Sequence, residues 1–437
     1  MPPTLRAYLR FLLEQPRLLT FGFALTLFSS FGQTYFIALF NDDIRADFDL
    51  SHGEFGLVYS LATLASGLSI IWIGGMVDRF DLRSFTLITM SGMVAGSFLL
   101  GFSPTLLTLA LGIYLLRLCG QGLYGHISMT SMARYFDRNR GKSISIASAG
   151  YPAGEAVFPL LGVALIAAFG WRNSWFILAA GIALVVMPLI MFLLRGHSER
   201  VRAYHEALRN RHAPDSESPG PASPTSRTDS MRSPGSMRQW RRREVIRDRR
   251  FHLLLPAVLG PAFMVTGMFF HQLRLVEERG WEVQTFAAGF IVFAAVQVPA
   301  GLLTGILIDR VGSLRLVPLL LMPIMLGMLT ITITPHPLAI PVFFMFFGLT
   351  SGAVGPILTA TWAEMYGVEH LGSIRALTTA FMVISTSLSP VLLGVMLDQA
   401  ITMTTIAQLF VVYCLAASVC AGIATRVSPT GMRDRRN

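Results

Sequence analysis

The sequence predicts an all-α membrane protein whose twelve transmembrane helices form two pseudo-symmetric six-helix bundles. Three observations carry that prediction. Hydrophobic residues make up 53% of the 437-residue chain and charged residues only 14%, where a soluble domain carries roughly a quarter charged. The apolar residues gather in twelve runs long enough to cross a bilayer, which takes about 20 residues each. A set of landmarks then recurs at one fixed offset on either side of a polar interruption.

The runs cover residues 18–40, 54–74, 84–103, 106–128, 143–168, 174–194, 253–273, 284–307, 316–334, 338–361, 373–396 and 403–425. Apolar stretches of this length read as helices, because in lipid every backbone polar group must be satisfied inside the segment. The first run follows Arg6, Arg10 and Arg17. It is too long for a secretory signal and lacks a small-residue cleavage site, so it reads as a retained span.

With the amino terminus placed inside the cell, 30 of the 35 Lys and Arg residues fall in inside loops and tails. Arg45, Arg172, Arg274 and Arg279 fall outside, and Arg117 lies within a span. That bias predicts a multi-pass protein with both termini cytoplasmic. The net charge of +10 and pI of 10.1 are therefore topogenic, and with no nucleic-acid motif beside the arginines no nucleic-acid partner is expected. Near-exclusive use of Arg over Lys points to a GC-rich genome and a bacterial inner membrane. Cys119, Cys414 and Cys420 fall in spans without metal-like spacing and read as packing residues. Neither a metal nor a cofactor is expected. Membrane lipids surround the chain, which is expected to work as a monomer.

Residues 196–251 divide an N-terminal bundle, 1–195, from a C-terminal bundle and tail, 252–437. The middle of the divider, APDSESPGPASPTSRTDSMRSPGS, has the composition of a disordered linker. Its flank, MRQWRRREVIRDRRF, is either a helix lying against anionic headgroups or simply a set of topogenic arginines. Across the divider, Asp309 and Arg310 follow Asp78 and Arg79 by 231 residues (309 − 78), as Gly305 follows Gly74. Pro104 and Pro335, Gly96 and Gly327, Gly141 and Gly372, and Pro159 and Pro390 keep the same offset. A duplicated six-helix unit explains them, and both copies start from the same side, so the repeats are parallel. The charged turn GGMVDRFDLR after the second span thus returns as GILIDRVGSLR after the eighth.

These turns resemble the loop between the second and third helices of the major facilitator superfamily. Gly74, Asp78, Arg79 and Arg83 match its pattern, with Asp81 where a glycine is usual; Gly305, Asp309, Arg310, Gly312 and Arg315 match it again. RLCGQG, with Arg117, Gly120 and Gly122, is similar to the family's fourth-helix pattern. The resemblance covers nearly the whole chain and implies transport by alternating access. It also implies that the charged turns gate the cytoplasmic seam between the bundles, holding the outward-facing state closed inside. Arg140 with Gly141, and Gly170, Trp171 and Arg172, resemble features of the monocarboxylate-porter and oxalate:formate-antiporter branch, which implies a small organic anion as substrate.

Polar residues within spans are costly and mark candidate sites. Arg117 and Glu155 lie near the middles of the fourth and fifth spans. Gln121 and Tyr124 follow Arg117 at helical spacing, on one face. Two readings stand for Arg117 and Glu155: a structural ion pair, or a substrate and proton site. Neither has an image in the second half, where Gly348 and Thr386 stand at the offset. His271 and Gln272 end the seventh span, and a histidine titrates near neutral pH and suits proton coupling. Gln33 in the first span and Gln297 in the eighth complete the candidate set.

RNRGKS (138–143) mimics the end of a phosphate-binding loop, but Phe136 stands where its first glycine is needed. With no nucleophile elbow or zinc-ligand helix, no enzymatic activity is expected. The expected function is proton-coupled secondary transport of a small organic anion of the monocarboxylate kind. An exporter of apolar, drug-like compounds and a non-transporting membrane sensor are the alternatives.

Overall fold

The computed structural model describes residues 16–78, 80–136, 139–196 and 239–426. Most of the polar linker, Arg79 and the side chain of Asp78 lie outside these. By the arginine bias, the face bearing Ser51 and Asp398 is called outer and the face bearing Gly74 and Gly312 inner.

Ten described helices are long and apolar enough to cross a membrane, and a bent pair, Pro16–Gly32 with Thr34–Phe48, makes an eleventh span. One run, Arg140–Leu193, is 54 residues long; straight, it would reach about 80 Å, far beyond a hydrocarbon core of about 30 Å. Its backbone leaves the helix at Gly170 (φ 72°, ψ 167°), a conformation that glycine adopts without strain. The run therefore supplies two passes, the fifth and sixth spans.

The repeat is visible in packing as well as in sequence. A Cβ on Gly96 would lie 3.1 Å from the Gly112 carbonyl and 3.0 Å from Leu115 Cβ. A Cβ on Gly327 would lie 3.3 Å from the Phe343 carbonyl and 3.2 Å from Phe346 Cβ. Those partners are themselves 231 residues apart (343 − 112 and 346 − 115). The two bundles thus bring their third and fourth helices together at the same point.

The first span departs from the expected continuous helix over 18–40. It breaks into a tight turn at Ser29–Gly32, and Gln33 is extended (φ −83°, ψ 151°) before helix resumes at Thr34–Ile37. The cause lies in the fourth span. There the backbone widens to π-helix over Arg117–Tyr124, and a Cβ on Gly120 would lie 2.8 Å from Gly32 Cα and 2.9 Å from its nitrogen. Two broken backbones touch here with no side chain between them. Gly120→Ala is therefore expected to destabilise the protein by about 1–3 kcal/mol, since backbone cannot yield as a side-chain tip can. A thermal melt in detergent checks this; Gly141→Ala, with nothing within 4 Å of its added carbon, is the control expected to match wild type.

The charged turns differ between the copies for a backbone reason. In the second, helix continues through Asp309 and Arg310 to Val311 and ends at Gly312, whose φ of 86° favours glycine. In the first, the helix His52–Ile73 tightens at Gly74–Asp78. Asp81, the image of Gly312, has an ordinary φ of −58° and caps the third span by accepting the Ser84 N–H at 3.2 Å. The aspartate at the usual glycine position is thus a helix cap.

Candidate functional site

Arg117 is fixed from the broken first span. Its Nη1 donates to the Gly32 carbonyl at 3.1 Å and to Thr34 Oγ1 at 3.2 Å. The guanidinium stands 5.3 Å from the centroid of the Tyr59 ring, whose hydroxyl donates to Thr34 Oγ1 at 2.9 Å. Arg117 is only 2% exposed, and its Nε has no partner. No carboxylate among the described residues pairs with it.

Glu155 points to the other bundle. Its Oε2 accepts from Gln297 Nε2 at 2.9 Å, joining the fifth span to the eighth across the seam. Both residues are half-buried. The ion-pair reading of Arg117 and Glu155 is therefore not realised: each charge is held by neutral groups. Gly348, the image of Arg117, shows why the second half carries no matching cation. A Cβ there would already lie 2.7 Å from the Phe293 carbonyl of the eighth span.

The expected face of Arg117, Gln121 and Tyr124 does not form as a regular helix would make it. The π-helix of Arg117–Tyr124 shifts the register; Gln121 is exposed, and Tyr124 is buried with an unpartnered hydroxyl. Gln33 sits half-buried at the break of the first span, its side-chain amide without a hydrogen bond among the described residues.

His271 and Gln272 stand in a seal between the outer ends of the bundles. His271 Nε2 donates to the Pro390 carbonyl at 2.9 Å. Gln272 Nε2 donates to the Tyr35 carbonyl at 2.8 Å, and Asn41 Nδ2 to the Phe270 carbonyl at 2.5 Å. Asn41 and Gln272 are images under the repeat (272 − 41 = 231), so each bundle lends one amide to the backbone of the other. Phe270 fills the seam between Tyr59 and Phe55, with ring centroids 4.5 and 5.7 Å away, and Tyr35 meets Phe290 at 5.3 Å. The void left beside His52 and His271 is about 10 Å³, room for about one water. Sequence reasoning missed Asn41, Tyr35 and Tyr59; the offset of 231 applied to Gln272 would have found the first.

Asp398 completes the seal. Its carboxylate accepts from Ser51 Oγ at 2.8 Å and from the backbone N–H groups of His52 at 2.9 Å and Gly53 at 2.8 Å. A carboxylate at the end of the eleventh span thus caps the second. A Cβ on Gly56 would lie 2.7 Å from the Pro390 carbonyl, so the two helices cross backbone to backbone. Removing the cap with Asp398→Ala is expected to weaken the closed outer face by about 1 kcal/mol, roughly fivefold in population. Faster labelling of a cysteine placed at Tyr59 by an impermeant thiol reagent would show it.

On the inner face the gating candidates are accessible or bound within their own bundle. Asp309, Arg310 and Arg83 are exposed, and Gly305 has open space around it. The Gly74 carbonyl is hydrogen-bonded to His126 Nε2 at 2.9 Å, tying the second span to the fourth. Glu364 in the tenth span accepts the N–H groups of Ser313 at 2.9 Å and Leu314 at 3.4 Å, capping the ninth.

Solved transporters share this architecture. A bacterial homologue of the human lysosomal transporter Spinster, inward-facing and unoccupied, aligns over 94% of this chain and 98% of its own with TM-score 0.62 and 17% identity. The nucleoside transporter NupG aligns over 94% and 100% with TM-score 0.65 and 13% identity. Among curated sequences, the quinolone resistance protein NorB of Staphylococcus aureus is 24% identical over 156 residues, 36% of this chain and 33% of that protein. The chain therefore matches only about a third of the length of these curated relatives. The Major Facilitator Superfamily model matches residues 22–390 and, separately, 275–436; with twelve helices in two duplicated bundles, the chain belongs to that superfamily of transporters.

Proposed function

We propose that the protein couples the movement of a small organic anion to that of a proton, in a bacterial inner membrane with both termini cytoplasmic. One observation carries this reading: two opposite charges at membrane depth, Arg117 and Glu155, are each kept with neutral partners. A buried cation without a counter-charge is costly, and an anionic solute would supply that charge. A carboxyl hydrogen-bonded by an amide across the seam can take up and release a proton as the bundles part. Gln33, Tyr124 and Gln297 are the proposed hydrogen-bonding partners of the solute; His271 and Gln272 serve the outer seal instead, and Gln121 is displaced from the face of Arg117.

In mechanism, the outer seal keeps the site closed to the outside, while Arg83, Asp309 and Arg310 stand exposed at the inner face. Rocking of the bundles would break the amide clasp and the Asp398 cap, and bring Asp78, Arg79 and Arg83 with Gly74, and Asp309 and Arg310 with Gly305, to the inner seam. The Arg117–Thr34–Tyr59 network packs on Phe270 of the seal, so a solute that takes up Arg117 would loosen the outer closure. A second reading, export of drug-like compounds, draws on the name of the curated relatives, quinolone resistance proteins.

Ligand-induced thermal stabilisation of the detergent-solubilised protein tests the solute class. The expected result is a rise in melting temperature with one or more monocarboxylates and none with apolar dyes. Stabilisation by dyes alone would replace the anion by the second reading.

A further inference from the structure

The basic flank of the linker folds as a docked element. The Trp240 backbone N–H donates to the Tyr366 carbonyl at 2.9 Å, and the two rings meet at 5.5 Å. A short helix, Arg242–Arg247, buries Val245. Behind it, Asp248 and Arg250 form a buried ion pair at 2.9 Å beneath the Trp240 and Tyr366 rings. That pair sits at the start of the spanning helix Arg249–Phe270, which Asp248 caps.

This docking decides which way the remaining side chains face. Arg241, Arg242, Arg243, Arg247 and Arg249 are exposed, and Ile246 among them is 41% exposed. The nearby acids offset them only in part: Asp248 is spent on Arg250, and Glu244, which accepts the Arg241 backbone N–H at 2.7 Å, supplies one negative charge against five guanidiniums. Topogenic arginines need only be on the right side of the membrane. They do not require a helix clamped by a tryptophan and a buried ion pair, holding five guanidiniums and an isoleucine outward beside a membrane entry point.

We propose that this face, Arg241–Arg249, is a binding surface for anionic phospholipid headgroups of the adjacent leaflet. Guanidinium forks suit phosphate oxygens, and the exposed Ile246 adds an apolar side chain to the same face. The surface is fixed to the inner end of the tenth span through Tyr366, so bound lipid bears on the C-terminal bundle.

The test is native mass spectrometry of the full chain with phosphatidylglycerol and phosphatidylcholine of matched acyl chains. Wild type is expected to retain the anionic lipid in roughly tenfold preference. Replacing Arg241, Arg242, Arg243 and Arg247 by Gln should remove that preference, while replacing the same four by Lys should keep most of it. All four are surface residues, and an unchanged melting temperature verifies that the fold is kept. A persistent preference in the Gln variant would overturn the proposal. So would loss of the wild-type preference in millimolar inorganic phosphate, which would mark a site for the free anion instead of a lipid surface.

Discussion

Arg117→Met is expected to abolish solute-dependent thermal stabilisation and transport while leaving the fold nearly as stable as wild type. The magnitudes oppose each other. Losing hydrogen bonds to the Gly32 carbonyl and Thr34 removes about 1.5–3 kcal/mol each, and loss of the Tyr59 ring contact removes up to about 2 kcal/mol. Against this, a buried cation without a counter-ion carries a desolvation penalty of several kcal/mol, which the apolar side chain relieves. The net change should stay within about 2 kcal/mol. A structural arginine gives a different outcome, with a melting temperature several degrees lower and solute response retained in the surviving folded fraction. Melting curves with and without carboxylate separate the two.

Glu155→Gln is expected to keep exchange and lose coupling. Glutamine is nearly isosteric and can still hydrogen-bond Gln297 across the seam, so the stability change should remain below about 1 kcal/mol. It cannot carry a proton. Counterflow of labelled solute between equal concentrations should therefore persist in proteoliposomes, while accumulation driven by a pH gradient falls to the level of protein-free vesicles. If gradient-driven accumulation survives, Glu155 is a seam contact and not the coupling group.

Much of the fold was legible because lipid leaves few alternatives. Long apolar runs must be helices, and the offset of 231 residues gives the duplication directly, down to the matched contacts of Gly96 and Gly327. What escaped was local and depended on partners. The break at Gly32 and the π-helix at Arg117–Tyr124 arise from one backbone contact between two spans, and no periodicity within either span encodes it. The same contact displaced Gln121 from the face expected of it. His271 was legible as a polar residue at the end of a span, but its bond to Pro390 in the eleventh span was not. Asp398 reads as an ordinary helix-end acid until the second span's N-terminus is brought against it.

The central claim is that an anion and a proton move together through a site built on Arg117 and Glu155. Solute-driven proton movement in proteoliposomes tests it most directly, with a panel of mono- and dicarboxylates added outside and an internal pH dye as readout. The account predicts that at least one carboxylate changes the internal pH with wild-type protein and leaves it unchanged with Glu155→Gln. A wild-type protein that moves no proton with any carboxylate, yet transports apolar dyes, would contradict it.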